Sequence, residues 1–283
     1  MSLRGMWRLI GSLSLLVIAL GSWVLWLEKR PAPEEATLAD LDPQSIQTIV
    51  IERSNGTMTF IRRAEGWFMH KPFQAPADPY HMEQVTGLPR QISHARYQIE
   101  KSNLAQFELS PPRVSVKLND TQFRFGMQNP IDFRRYVQVD DGPVHLTDDT
   151  LMPLLNAPAT SWIDTKLLPS SAIRELELPD WHVMLTEKGA WTSKPPADDT
   201  ALREWVNAWR NARAIRITPF EQEIPADAPA IKVRLVDSTI EFRVLQQEPE
   251  LILLRPDLRL RYHFYGHTGR RLLAPGGGAE DSS

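Results

Sequence analysis

The stretch GWFMHKPFQAPAD at residues 66–78 returns in shorter form as AWTSKPPAD at residues 190–198. Both stretches keep a Trp, a Lys-Pro pair and an Ala-Asp pair in the same order. Further along the chain, VSVKL at residues 114–118 returns as IKVRL at residues 231–235, so the offset stays between 117 and 124 residues. Self-similarity at a nearly constant offset is the sequence signature of repeated structural units. We therefore predict two tandem copies of one unit.

Local signals predict the elements of each copy. Asn55-Gly56 lies between two runs of alternating apolar residues, which is a strong hairpin signal. A helix is expected later in each copy, because Asp78 stands before a proline and Asp198 or Asp199 stands before apolar residues at i, i+3 and i+4 spacing. Short links after the helices favour antiparallel strands. We therefore predict an α+β class, with one main helix laid on an antiparallel sheet in each unit.

The repeat also sets the domain borders. His94-Ala95-Arg96 and Asn211-Ala212-Arg213 extend the similarity beyond the two predicted helices. We predict a first unit at residues 45–160 and a second unit at residues 161–275. Residues 276–283 are rich in Gly and polar side chains, which is typical of a disordered tail.

The N-terminal segment has the composition of a membrane anchor. Residues 9–27 comprise 19 residues without a charge, which as a helix would span roughly 28 Å. We predict a cytoplasmic stub and transmembrane anchor within residues 1–30 of an inner-membrane protein, with the following domain in the periplasm. A cleavable signal peptide is the alternative, because Ala19-Leu20-Gly21 resembles a cleavage site. Residues 31–44 are predicted to form a stalk.

The composition argues against several kinds of site. The formal net charge is −3 although the first 30 residues carry a positive balance, so the rest of the chain is mildly acidic. Nucleic-acid binding needs a basic face, and we therefore expect no nucleic-acid partner. The chain has no Cys, which excludes disulfides, thiolate metal sites and Cys nucleophiles. No glycine-rich phosphate-binding motif is present, and we expect no cofactor.

Two pairs of residues with possible chemistry are better explained by structure. His263 and His267 have the spacing of a helical metal pair, but the sequence around them predicts a strand followed by a turn, with exposed imidazoles. Asp78 and His81 have the spacing of an acid/base pair, but the helix-capping role accounts for Asp78. No nucleophile elbow is present. We therefore predict neither a metal site nor an enzyme.

Two basic clusters are the candidate partner contacts. The first consists of Arg134 and Arg135 beside Tyr136. The second includes Arg259 and Arg261, which alternate with apolar residues and are therefore predicted to lie on one solvated strand face. Arg is favoured in interfaces, so we predict that these five residues could contact an acidic partner protein or lipid head groups.

A set of short motifs in the first copy follows a recognisable order. The set consists of Gly66-Trp67, Lys71-Pro72, Ala77-Asp78, Phe107-Glu-Leu-Ser-Pro-Pro112, Gly126, Asn129-Pro130 and Arg135-Tyr136. It resembles the pattern of an uncharacterised bacterial family of domains of unknown function, with Glu108 at a position where that pattern has Gly. The resemblance implies a membrane-anchored extracytoplasmic protein of a kind often encoded beside gliding-motility-type ABC transporter components.

These observations lead to ranked hypotheses about function. The first is a noncatalytic, membrane-anchored extracytoplasmic accessory or protein-interaction module, whose partners are ABC transporter subunits or other envelope proteins. The alternative is a periplasmic protein that binds a small molecule, lipid or glycan in a cleft between the two units. A hydrolase acting on the envelope comes third, because it would need clustered Asp, Glu, His or Ser side chains.

Overall fold

Alternating apolar residues build an antiparallel sheet of nine strands in the first half of the chain. The structure is a computed structural model that describes residues 36–276. In β1 (Thr48–Arg53) the side chains of Ile49 and Ile51 are buried and their neighbours are more exposed, as the two-residue period of a strand requires. The other strands of this first sheet are β2 (Gly56–Arg63), β3 (Gly66–Lys71), β4 (Ala75–Pro76), β5 (Ala95–Tyr97), β6 (Val114–Leu118), β7 (Thr121–Gln128), β8 (Arg135–Val139) and β9 (Val144–Thr147).

The second half of the chain builds a sheet of eight strands. Its strands are β10 (Ile173–Glu177), β11 (His182–Leu185), β12 (Trp191–Lys194), β13 (Arg216–Pro219), β14 (Ala230–Leu235), β15 (Thr239–Gln246), β16 (Glu250–Arg255) and β17 (Leu260–Tyr265). The strand order is β4-β3-β2-β1-β6-β7-β8-β9-β5 in the first sheet and β12-β11-β10-β14-β15-β16-β17-β13 in the second. Apart from β4, each strand of one sheet has a counterpart at the same place in the other.

The helices are short and lie between or after the strands. They are α1 (Pro79–Thr86), α2 (Met152–Leu155), α3 (Asp199–Asn211) and α4 (Gly266–Leu273), with 3-10 turns at Pro43–Ser45, Leu88–Arg90, Lys101–Phe107 and Ala159–Trp162. The two predicted caps are confirmed, because the Asp78 carboxylate accepts the N–H of His81 and the Asp198 carboxylate accepts the N–H of Thr200 and Ala201. The Asn55-Gly56 hairpin between β1 and β2 is also confirmed.

The predicted α+β class is wrong. Strands account for 41% and helices for 21% of the described residues, so the described structure consists mainly of two antiparallel sheets. The error has a physical origin: helix signals such as caps are strong and local, whereas the two-residue β4 and three-residue β5 are too short for a detectable alternation.

Two predictions concern the N-terminal part of the chain. The transmembrane anchor at residues 9–27 lies outside the described residues, and within residues 36–276 no helix is both long and apolar enough to cross a bilayer. The predicted stalk, residues 31–44, falls within the described residues only from residue 36 onward. Leu38 is buried, its N–H donates to the carbonyl oxygen of Gln91, and Ala36 accepts the N–H of Ser93, so this segment packs onto the first sheet.

The repeat continues through the edge strands, but with a different alignment from the one expected. Arg96 in β5 lies opposite His145 of β9, and Arg216 in β13 lies opposite His263 of β17. Arg216 rather than Arg213 is therefore the counterpart of Arg96. The alignment of the two copies from sequence paired Arg96 with Arg213 by mistake. The reason is that α3 is longer than α1, which shifts the residues that follow the helix.

Candidate functional site

An open groove of about 800 Å³ lies at the end of β1 in the first sheet. We call it the Pro-Pro groove, and its lining residues are Glu52, Arg53, Ser54, Ala105, Glu108, Ser110, Pro111, Pro112, Arg113, Ser115, Met152 and Asn156. A second pocket, of about 270 Å³, is lined by residues of the second sheet and its loops. Each of these two pockets thus lies within one half of the chain rather than between the halves.

One wall of the Pro-Pro groove is a loop that crosses closely over β7. The loop leaves its 3-10 turn through Glu108, whose backbone is left-handed (φ 55°), and Leu109 is buried beneath it. A Cβ added to Gly126 of β7 would lie 2.9 Å from Cγ of Leu109 and would overlap the carbonyl oxygen of Phe107. Only glycine therefore allows this close approach of loop and strand.

Arg53 supplies a positive charge to the groove without an acidic partner. Its Nη1 donates to the carbonyl oxygens of Leu155 at 2.9 Å and Ala157 at 2.5 Å, and its Nη2 contacts Sδ of Met58 at 3.5 Å. Its Nε is buried without a hydrogen-bond partner, and burial lowers the pKa of the guanidinium. Among the ion pairs of residues 36–276 none involves Arg53, so no carboxylate of the described residues neutralises its charge.

At the rim of the groove, Glu108 and Arg113 form an ion pair in which each charge neutralises the other. Nη2 of Arg113 donates to Oε1 of Glu108 at 3.0 Å, and Nε of Arg113 donates to Oε2 of the same carboxylate. These hydrogen bonds lower the pKa of Glu108 and raise the pKa of Arg113. The other two charged side chains that line the groove, Glu52 and Arg53, form no ion pair there.

The groove is lined by several groups that can form hydrogen bonds. Hydroxyl groups come from Ser54, Ser110 and Ser115, and Asn156 adds an amide. Ser115 already accepts a hydrogen bond from Nε2 of Gln122 at 2.9 Å. No His lines the groove, and the described part of the chain contains no group of three or more His, Asp or Glu side chains that could hold a metal ion. Hydroxyls, an amide and a guanidinium without an acidic partner are suited to binding a polar ligand.

The structure does not bring the predicted contact residues of the first cluster together on a surface. Arg135 is buried, donates to both carboxylate oxygens of Asp149 at 2.8 and 2.6 Å, and also donates to the carbonyl oxygen of Gly126 at 2.6 Å. Arg135 therefore connects Asp149 with the backbone of β7 inside the protein, beneath the wall of the groove. Tyr136 packs edge-on against Phe107 at 4.9 Å, and burial raises the pKa of its phenol. Arg134 and Tyr136 are both half-buried, and Arg134 is paired with the carboxylates of Asp132 and Asp148.

The side chains of the second predicted cluster also form contacts within the protein. Arg259 lies in the turn before β17 with φ 56°, so Arg259 and Arg261 do not share a strand face as expected. Nη2 of Arg259 donates to the carbonyl oxygen of Gln222 and Nη2 of Arg261 to that of Pro219, at 3.0 and 2.9 Å. Both guanidinium groups lie over the ring of Phe220. They hold the residue 219–222 segment in place.

The structure shows the surroundings of the two residue pairs with possible chemistry, His263 with His267 and Asp78 with His81. His263 is buried in β17, with Nδ1 near Glu250 and Arg216 and Nε2 near Thr218, so the expected exposed position is wrong. His267 lies on α4, where the sequence suggested a turn. Nδ1 of His81 is 3.8 Å from the capping carboxylate of Asp78, which is longer than a hydrogen bond.

Of the motifs that carried the resemblance, the Phe107 to Pro112 segment contributes to the wall of the groove, and Gly126 and Arg135 lie beneath that segment. A family model described as "Domain of unknown function (DUF4340)" matches residues 67–232, which is more than half of the chain. The chain belongs to the DUF4340 family. No curated protein and no solved structure matches it. Within the DUF4340 match lie the Pro-Pro loop, Gly126 and Arg135, whereas Glu52, Arg53 and Ser54 lie before it.

Sequence reasoning missed the Pro-Pro groove although one of its signals was visible. The Phe107 to Pro112 motif was noted as a family feature and not as part of a site. Two adjacent prolines after a left-handed residue indicate a rigid loop, and rigid loops commonly carry binding residues. The other walls come from residues 52–54 and 152–156, which no local pattern connects with that loop.

Proposed function

We propose that this DUF4340 protein is a noncatalytic, membrane-anchored extracytoplasmic module that binds an extended segment of a partner protein in the Pro-Pro groove. The observation that carries the proposal is the unneutralised Arg53 in an open groove lined by hydroxyl, amide and apolar groups. A partner segment with an acidic side chain would neutralise Arg53, and its backbone would hydrogen-bond the serine hydroxyls and the Asn156 amide.

The composition of the groove favours a peptide over a small apolar ligand. Drug-like and lipid ligands are held in concave, mostly enclosed and apolar pockets. The Pro-Pro groove instead is open and has charged side chains on both sides, Glu52 and Arg53 from the first sheet and Glu108 and Arg113 from the loop. An extended segment with both polar and apolar side chains complements such a surface.

The partner and the compartment are inferred from the sequence. Residues 9–27 carry no charge over a length sufficient to cross a bilayer, which supports anchoring with the domain in the periplasm. The family resemblance supports a role beside an ABC-type transport or envelope complex. We therefore propose that the bound segment belongs to a subunit of such a complex.

The proposal is tested by filling the groove without disturbing the fold. Ala105 and Ser54 are exposed and line the groove, so Ala105→Trp and Ser54→Trp should obstruct it. Ser238→Trp in the turn between β14 and β15 is the matched control at an exposed residue of the second sheet. Full-length protein and variants are purified from gently solubilised membranes, and the co-purifying proteins are quantified.

We expect both groove variants to lose most of a specific partner, by roughly tenfold, which corresponds to about 1.4 kcal/mol of binding free energy. The Ser238→Trp variant should retain it. Thermal unfolding of all variants checks that the fold is preserved. If the same partners are recovered with every variant, or no specific partner is recovered with the unsubstituted protein, the groove is not the binding site.

A further inference from the structure

The hairpin between β7 and β8 presents two large apolar side chains to solvent. We define the hairpin tip as residues 129–134. Ile131 in this tip is 87% exposed and Phe133 is 68% exposed. Large apolar side chains that are exposed close together in a folded protein often mark a surface that contacts something else.

The hairpin tip is held in one conformation by hydrogen bonds. The Asn129 carboxamide oxygen accepts the N–H of Ile131 at 2.9 Å, and the Asn129 backbone carbonyl accepts the N–H of Phe133 at 3.0 Å. Gln128 Nε2 donates to the carbonyl oxygen of Phe133 at 2.7 Å. Phe133 has φ 58°, a left-handed conformation that is unfavourable for a residue with a Cβ. The exposure of these side chains is therefore imposed by the turn and does not result from disorder.

The hairpin tip lies on the side of the first sheet where the chain enters from residues 1–35. The carbonyl oxygen of Ala36 accepts the N–H of Ser93 at 2.7 Å. The next residue, His94, has its Nε2 3.1 Å from Oδ1 of Asp148, and that same oxygen accepts a hydrogen bond from Nε of Arg134 at 3.3 Å. A short series of contacts thus links the first described residue to the hairpin tip.

The length of the preceding segment limits how far this face can be from a bilayer. Residues 28–35 separate the uncharged segment 9–27 from Ala36. Fully extended, eight residues reach at most about 29 Å. If residues 9–27 are in the membrane, as proposed above, the face of the domain that carries Ala36 and the hairpin tip is close to the lipid surface.

We propose that the hairpin tip is a second membrane contact, in which Ile131 and Phe133 insert into the lipid interface and fix the orientation of the domain. The inference rests on the proposed membrane anchor. Aromatic and aliphatic side chains on a rigid turn are suited to the boundary between head groups and acyl chains. With the first sheet oriented in this way, the domain would be held in a defined direction relative to its membrane partners.

The charges around the hairpin tip do not favour anionic lipids. Asp132, Asp148 and Asp149 lie beside Arg134 and Arg135, so the local balance is slightly negative. Attraction to anionic head groups therefore does not drive the contact, and apolar insertion does. The contact should therefore be no stronger on anionic than on zwitterionic bilayers, and added salt should not weaken it.

The absence of Cys from the chain allows a direct test. Single-cysteine variants of the full-length protein, Ile131→Cys and Val236→Cys, are spin-labelled and reconstituted in phosphatidylcholine nanodiscs. Val236 is the matched control, because it is a β-branched apolar residue that is 60% exposed in a turn of the second sheet. Accessibility to oxygen, which concentrates in lipid, is compared with accessibility to a water-soluble nickel chelate.

We expect the label at residue 131 to show a several-fold higher ratio of oxygen to nickel accessibility than the label at residue 236, and this ratio should not rise when phosphatidylglycerol is added. A label introduced by Ser14→Cys reports separately on the anchor. If residue 14 is in lipid and residue 131 is as accessible to nickel as residue 236, the lipid contact is refuted while the anchor stands. If residue 14 is accessible to nickel, the anchor fails as well. Protection of residue 131 in native membranes but not in nanodiscs would assign the hairpin tip to a protein and would also refute the lipid contact.

Discussion

The backbone N–H of Asp78, the capping residue of α1, donates to the carbonyl oxygen of Trp162 at 2.8 Å. Trp162 belongs to the segment that joins the two sheets, and Asp164 in the same segment donates to the carbonyl oxygen of Pro76. A few residues later, the N–H of Leu167 donates to the carbonyl oxygen of Ala212. The connecting segment therefore pairs with the first half of the chain and then with the second, and it is part of both folded units rather than a free linker.

Trp162 should be essential for the stability of the first sheet. Its side chain is fully buried against Phe60 and His81, at ring distances of 5.4 and 5.6 Å. Trp162→Ala leaves a large cavity, and we expect a loss of about 3–5 kcal/mol in the free energy of unfolding, measured in urea. Trp162→Phe should cost less, because it leaves a smaller cavity. Equal losses for the two variants would contradict this account of the site.

The backbone at residue 108 should favour glycine over alanine. Both Glu108→Gly and Glu108→Ala remove the ion pair with Arg113, so their difference reports only the left-handed backbone at φ 55°. Glycine adopts this conformation without the steric cost of a Cβ, which outweighs its larger entropy when unfolded. We expect Glu108→Gly to melt about 2–4 °C above Glu108→Ala by calorimetry. A higher melting temperature for Glu108→Ala would show that the loop does not have this conformation.

Tyr262 should make the fold sensitive to alkaline pH. Burial raises the pKa of this phenol to about 12, and nearby Arg255 opposes the shift. An unfolded chain has a tyrosine pKa of about 10, so between pH 10 and 12 the unfolded state loses the proton and the folded state keeps it. The folded state is therefore destabilised as pH rises through this window, by about 2–3 kcal/mol for two pKa units.

The Tyr262→Phe variant isolates this contribution from that of the other titrating groups. The free energy of unfolding is measured for both proteins at pH 8 and near pH 12. The unsubstituted protein should lose more stability than the variant between these two pH values. Parallel losses would mean that Tyr262 does not remain protonated in the folded state.

Local signals in the sequence predicted part of the fold correctly. The caps at Asp78 and Asp198 and the Asn55-Gly56 hairpin are set by the residues themselves and their immediate neighbours. Trp205 and Trp209 were expected in the core from their helical spacing, and both are buried, with their indole N–H groups donating to the carbonyl oxygen of Leu272. Such features depend on few residues, which lie close together in the chain.

Features that depend on distant residues were not predicted. The α4 helix begins at Gly266 without a side-chain cap, so the sequence gives little indication of its start. The packing of Leu38 and the position of Arg216 opposite His263 depend on pairing between segments far apart in the chain. The Pro-Pro groove combines three separate segments, and no periodicity or spacing could have brought Arg53 and Pro111 together.

The most direct test of partner binding in the Pro-Pro groove is site-specific photo-crosslinking in native membranes. A photoreactive phenylalanine analogue replaces Ala105 at the groove or Ser238 at the control position in the full-length protein. The groove position should give a discrete adduct with one membrane or envelope protein, and the Arg53→Met substitution in the same chain should weaken it. No adduct from residue 105, or the same adducts from residues 105 and 238, would contradict the assignment of the groove as the partner site.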